Sequence, residues 1–183
     1  MITKTINGKI IIGGEEMRTF LYIKDKKILA VTKEELHYDR IIDAKNHYVS
    51  AGFIDIHTHG GADYDFMDGG VLPVLEAAKL HLQYGTTSIM PTTLTSSWEV
   101  LEHSLEDIKK AMSDHPNIIG VHLEGPYFSH QQCGAQNTKH MVPINKEDYS
   151  RILKIGEGII KRWSFAPELD GSEAFCDFLM ENS

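Results

Sequence analysis

The sequence predicts an α/β fold in two parts: a small β portion over residues 1–50, then parallel βα units over residues 51–183. Three observations lead there. Hydrophobic side chains make up 42% and charged ones 24% of 183 residues, the balance of a folded chain rather than a disordered one. The first fifty residues hold only short β-type runs broken by turn residues, and from Ala51 strand-like and helix-like stretches alternate. At about 150 residues per domain, the length suits one domain with a small appendage.

In the β portion, residues 9–12 precede Gly13-Gly14, residues 19–23 precede a turn at Asp25-Lys26, residues 28–31 follow it, and Ile41-Ile42 leads to Asn46. These runs predict a small antiparallel sheet. The second part offers strands at 53–57, 86–90, 118–123 and 162–166, each apolar or β-branched and each followed by a loop. Pro73 opens a helix over 74–84, which Gly85 stops. Ser96 and Glu99 have capping-box spacing, and Leu101, Leu105, Ile108 and Met112 follow as one stripe. Asn145 with Asp148 starts a third helix, weakened in its later half by Gly156. Ala174, Phe175, Phe178 and Leu179 give a fourth helix its apolar face. Right-handed crossovers wind such units the same way round, towards a barrel. An eight-unit barrel takes about 250 residues, and about 130 follow residue 50. The chain is expected to stop halfway round, with a sheet edge after the fourth strand.

Eighteen Lys and Arg against 26 Asp and Glu give a net charge of −8 with no basic cluster, which disfavours a nucleic-acid or anionic-membrane surface. Two cysteines, Cys133 and Cys176, are too few for a disulfide framework, so a cytoplasmic location is expected. Residues 1–9 lack the apolar stretch of a signal peptide, and no apolar run approaches the roughly 18 residues needed to span a bilayer.

The chemistry concentrates at two expected strand ends. In Gly52-Phe53-Ile54-Asp55-Ile56-His57-Thr58-His59-Gly60-Gly61, alternation puts His57 and His59 on one face with Asp55 behind them, at the carboxyl end where βα barrels keep their sites. Two neutral imidazoles at that spacing grip one divalent metal. Ten histidines in a chain of this length give roughly half an H-x-H pair by chance, so surface histidines near a strand end fit this stretch equally well. In Gly120-Val121-His122-Leu123-Glu124-Gly125-Pro126, His122 and Glu124 again share a face at a strand's end. A carboxylate beside two imidazoles suits zinc or iron better than calcium or magnesium. An exposed loop carboxylate is the ordinary alternative for Glu124, and a hydrogen-bonded core histidine fits His122 as well as a catalytic one.

With G-T-T-S-I-M-P-T-T at 85–93, G-A-Q at 134–136 and A-P-E at 166–168, these two motifs form an ordered set that resembles the N-acetylglucosamine-6-phosphate deacetylases of the amidohydrolase superfamily. The resemblance covers essentially the whole chain. It implies a small β-sandwich portion over 1–50 and, over 51–183, the N-terminal half of a metal-dependent (β/α)8 amidohydrolase barrel. It also implies hydrolysis of the acetamide of N-acetylglucosamine 6-phosphate to glucosamine 6-phosphate and acetate, in a homodimer. His57 and His59 match the H-x-H pair that two-metal members use for one ion, and Glu124 matches the family's carboxylate ligand. One or two zinc or iron ions are implied for the complete enzyme. Ala135 and Gln136 match a loop that contacts the sugar, where some members have a histidine in place of Gln136. Thr86, Thr87, Pro91, Thr92 and Thr93 also match, but a packed strand and its turn explain them; Ala51 departs from a proline common in the family.

The resemblance puts further histidine ligands, the aspartate general acid and base, and the arginine and asparagine that hold the phosphate beyond Ser183. Neither Asp170 nor Asp177 takes the aspartate's role. A truncated deacetylase, inactive or nearly so by itself, is the expectation. Its rivals are a short non-catalytic relative binding a sugar phosphate or a partner through the open sheet edge, and another amidohydrolase such as a dihydroorotase or adenine deaminase. The H-L-E-G-P and G-A-Q motifs speak against the last.

Overall fold

A computed structural model describes residues 1–182; Ser183, the last residue of the expected second part, lies outside the described residues. The chain divides into two compact units, Met1–Gly52 and Phe53–Ser183.

The first unit is built from seven short strands: β1 (Ile2–Ile6), β2 (Lys9–Ile12), β3 (Glu15–Met17), β4 (Phe20–Lys24), β5 (Lys27–Thr32), β6 (Arg40–Asp43) and β7 (Tyr48–Val49). They form one sheet in the order β5-β4-β1-β6 and another in the order β3-β2-β7. The expected antiparallel sheet is corrected here, because β1–β6 and β2–β7 pair in parallel while the hairpin neighbours are antiparallel. Turn residues announce hairpins, whereas a parallel partner 37 to 39 positions away leaves no local signal. Lys4 is buried among the rings of Phe20, Tyr22 and Tyr38, and its ammonium meets Glu35. Burial alone lowers a lysine pKa, but the Glu35 hydrogen bond and charge outweigh it, and the Lys4 pKa is raised.

The second unit has four parallel strands: β8 (Phe53–Thr58), β11 (Thr86–Pro91), β12 (Val121–Glu124) and β13 (Ile160–Ser164). Pairing runs β8–β11 and β12–β13, and the bridges Ile89–Ile118 and Thr92–His122 join the two pairs. A hairpin of β9 (Gly60–Gly61) and β10 (Tyr64–Asp65) follows β8, and the helices α1 (Val71–Gln83), α2 (Trp98–Asp114), α3 (Lys146–Ile155) and α4 (Ser172–Glu181) follow in turn. No helix among the described residues is long and apolar enough to cross a membrane.

Helix boundaries follow local chemistry. Helix α1 begins at Val71, two residues before Pro73, because first-turn amides need no intrahelical acceptor and proline lacks that donor anyway. Ser97 rather than Ser96 caps α2, its hydroxyl accepting from the Val100 amide at 3.4 Å. Asn145 caps α3 as expected, its Oδ1 accepting from the amides of Glu147 at 2.8 Å and Asp148 at 3.3 Å. Gly156 ends that helix rather than weakening it, and a Cβ there would lie 2.4 Å from Ile160 Cδ1. Strand β12 starts later than 118, where Ile118 makes only a bridge, and β13 starts at 160 rather than 162.

The core lies between helices and strands: Val74, Ala77 and Ala78 of α1, Leu105, Ile108 and Ala111 of α2, Ile152 of α3, and Ile89, Val121 and Leu123 of the strands. A second cluster stacks Tyr127 on Trp163, ring centroids 5.9 Å apart, with Phe175 and Tyr149 around them. Strand β8 differs from the others, since Phe53 and Ile54 are each 68% exposed.

Truncating Ile108, fully buried on α2, to alanine is expected to destabilise the chain by about 2–5 kcal/mol. Removing the α3 cap in Asn145→Ala should cost about 1 kcal/mol. Urea unfolding checks both, and the cap variant is the one expected to leave the midpoint less displaced.

Candidate metal centre

Parallel pairing puts the carboxyl ends of β8 and β12 on one rim, and there His57, His59 and Glu124 converge. Glu124 Oε2 lies 3.4 Å from His57 Nε2 and 3.3 Å from His59 Nε2. One donor atom from each of the three lies within 4.8 Å of the others. Glu124 is half-buried, and the two imidazoles are more open to solvent. Two imidazole nitrogens and a carboxylate oxygen are a donor set for a borderline divalent ion such as zinc or iron.

The sequence built this geometry from period-two alternation, but other groups fix it. His59 Nδ1 lies 3.2 Å from the Thr92 carbonyl oxygen. A carbonyl only accepts, so Nδ1 carries a proton, and in the neutral form of the ring the Nε2 lone pair faces Glu124. Asp55 does not join the trio; its Oδ1 accepts from the His57 amide at 3.0 Å and so shapes the strand end. The Glu124 amide donates to Thr93 Oγ1 at 3.4 Å. Gly125 follows at φ 86°, where a Cβ would sit 2.2 Å from Thr95 Oγ1, so only glycine turns the chain there.

His122 sits beside the trio without belonging to it. It is fully buried, with Nδ1 at 3.3 Å from Thr92 Oγ1 and Nε2 at 2.8 Å from Ser164 Oγ. Burial, then the positive fields of Arg162, His57 and His59, push its pKa down to about 4. Of the two readings the sequence allowed, the hydrogen-bonded core histidine is the one with these partners. Arg162 Nη1 donates across to the Ile56 carbonyl at 3.4 Å.

Ala135 and Gln136 lie on the loop between β12 and α3, Ala135 exposed and Gln136 half-buried. Gln136 Oε1 accepts from the Thr95 amide at 2.8 Å, tying this loop to the segment after β11. Thr92 and Ser164 were not legible as site residues. Thr92 reads as a packed strand end, and a serine at the end of β13 carries no pattern at all.

Parallel βα units whose strand ends gather imidazoles and a carboxylate are the arrangement of amidohydrolase-class α/β proteins. No protein-family model matches the chain. It is 31% identical over 179 residues to the N-acetylglucosamine-6-phosphate deacetylase of Bos taurus, covering 91% of this chain and 44% of that protein. It is 32% identical over 123 residues to the N-acetylgalactosamine-6-phosphate deacetylase of a Shewanella strain, covering 64% of this chain and 30% of that one. Among solved structures, the N-acetyl-D-glucosamine-6-phosphate deacetylase of Mycobacterium smegmatis in complex with N-acetyl-D-glucosamine 6-phosphate superposes with a TM-score of 0.83 at 27% identity. That match covers 100% of this chain and 47% of the other. By sequence and fold, the chain groups with the N-acetylglucosamine-6-phosphate deacetylases. It spans a little under half the length of the curated relatives it matches.

Gln136→Ala is expected to free the Thr95 amide, raising its hydrogen-exchange rate and the rate of proteolytic cutting in the 129–137 loop, at a stability cost of about 1 kcal/mol. An unchanged exchange rate at Thr95 would show that the bond does not hold this loop.

Proposed function

We propose that the chain provides the metal-holding part of a deacetylase that hydrolyses the acetamide of N-acetylglucosamine 6-phosphate to glucosamine 6-phosphate and acetate. One observation carries this: two imidazoles and a carboxylate from separate strands meet at one point on the strand ends. Similarity to deacetylases over nearly the whole chain supports the choice of reaction.

His57 and His59 would hold a zinc or iron ion and Glu124 would supply an oxygen, one or two ions being expected in the complete enzyme. A divalent ion there supplies Lewis acidity, polarising the acetamide carbonyl and making water acidic enough to ionise near neutral pH. The chain's own part is positional. The Thr92 carbonyl fixes the His59 tautomer, the Asp55 carboxylate shapes the end of β8, and the loop bearing Ala135 and Gln136 receives the sugar. The cation also offsets the net −8 of the protein toward a phosphorylated substrate.

The reading extends to architecture. Residues 53–182 form half of a (β/α)8 barrel and the first unit a small β-sandwich portion, in a cytoplasmic homodimer; the two free cysteines suit a reducing compartment. Identity to an N-acetylgalactosamine-6-phosphate deacetylase favours a second reading, in which the substrate is the C4 epimer. Acetate release from each sugar phosphate, by the protein expressed from its complete reading frame, decides between the two. No release from either would exclude both.

Two outcomes are expected of the 183-residue chain. Metal analysis should find zinc or iron in the wild type and at least about tenfold weaker retention in His57→Ala and Glu124→Ala. Turnover should be absent or nearly so, and a kcat within the ordinary enzyme range of about 1–10³ s⁻¹ would contradict that.

A further inference from the structure

The trio stands on a buried hydrogen-bonded row that crosses all four parallel strands. The Thr58 amide, at the end of β8, donates to Thr92 Oγ1 at 3.1 Å. Thr92 Oγ1 meets His122 Nδ1 at 3.3 Å, and His122 Nε2 meets Ser164 Oγ at 2.8 Å on β13. Thr92 and His122 are both 0% exposed, so each partner in this row replaces a water that cannot reach it.

The row touches two members of the trio and shares a strand with the third. The Thr92 carbonyl is the acceptor for His59 Nδ1. The His122 ring packs edge-on against the His57 ring, with centroids 4.8 Å apart and planes at 85°. Glu124 lies two positions beyond His122 on β12, on the same strand face.

Resting on the metal reading above, we infer that Thr92 and His122 are positioning residues: their row aims His57, His59 and Glu124 at one ion and locks the His59 tautomer that binds it. They do not touch the ion or the substrate. An imidazole between two hydroxyls suits this place, because its two nitrogens meet Thr92 and Ser164 while its ring packs against that of His57.

A staple that merely held the fold together would have the same contacts, so the test separates aim from stability. Zinc affinity of the full chain is measured by competition with a chromophoric chelator, alongside thermal melting, for the wild type, Thr92→Val, Thr92→Ser, Ser164→Ala and His122→Phe. Thr92→Val keeps the shape and loses the hydroxyl, and zinc binding should weaken about 10- to 100-fold, the usual effect of losing a group behind a metal ligand. Thr92→Ser restores the hydroxyl and should bind within about threefold of wild type, and the visible spectrum of the cobalt(II)-loaded chain should shift in Thr92→Val but not in Thr92→Ser. If His122→Phe fails to fold, Thr92→Val and Ser164→Ala still decide. Variants that melt lower yet bind zinc with wild-type affinity would reduce the row to a staple and overturn the inference alone. A wild-type chain that binds no zinc would overturn the metal reading together with it.

Discussion

Parallel pairing is the constraint on which the site depends. Strands β8, β11, β12 and β13 run in one direction, so their carboxyl ends share one rim. Within each strand, side chains alternate faces, so His57 and His59 point together and Glu124 meets them from two strands away. A one-residue slip of β12 against its neighbours would turn Glu124 to the opposite face and leave two imidazoles without a carboxylate. Register at this rim is therefore a chemical requirement. The bridge between Thr92 and His122, with the Thr93 amide donating to the His122 carbonyl at 3.0 Å, holds it on that side.

The rim that gathers the trio was legible where periodicity carried it. The H-x-H and H-x-E stretches each follow an apolar strand and precede glycine, and that alone put three candidate ligands on two strand ends. What alternation cannot supply is lateral order, meaning which strand lies beside which. Thr92 and Ser164 acquire meaning only through neighbours 30 and 42 positions away. The same limit explains the first unit, where hairpins were readable from Gly13-Gly14 and Asp25-Lys26 but β1 with β6, and β2 with β7, were not. Helix ends erred by a residue or two for a different reason. Ser96 and Ser97 are both competent caps, and only the oxygen near the Val100 amide decides.

Strand β8 shows how burial pattern and sequence can disagree for a physical reason. Phe53, Ile54 and Ile56 have the composition of a strand covered on both faces, yet they remain 68%, 68% and 45% exposed. The helices pack elsewhere, α1 to α3 with their core residues gathered around β11 and β12 and α4 with Phe175 against Tyr127 and Trp163. The strand is nevertheless straight enough to deliver His57, because β11 pairs along its length, the Gly85 carbonyl accepts from the Phe53 amide at 2.8 Å, and Arg162 grips the Ile56 carbonyl. Backbone hydrogen bonding holds the His57 end of β8 while much of its apolar surface stays in water.

His57 and His122 make the closing contrast. Both stand two residues before a proposed ligand and shortly before a glycine, and the sequence offered His57 as a metal ligand and His122 as either a core or a catalytic histidine. Their neighbours assign them opposite tasks. His57 is partly exposed and, among the described residues, has no hydroxyl partner, with a carboxylate oxygen 3.4 Å from Nε2. His122 has both nitrogens engaged by hydroxyls in a water-free place, and the fields of Arg162, His57 and His59 add to burial in keeping it neutral. A ring whose two nitrogens are already occupied has no lone pair to give an ion, so it holds the ring that does. The division of labour follows from strand order, since β12 sits between hydroxyl-bearing ends on both sides while β8 has such a neighbour on one.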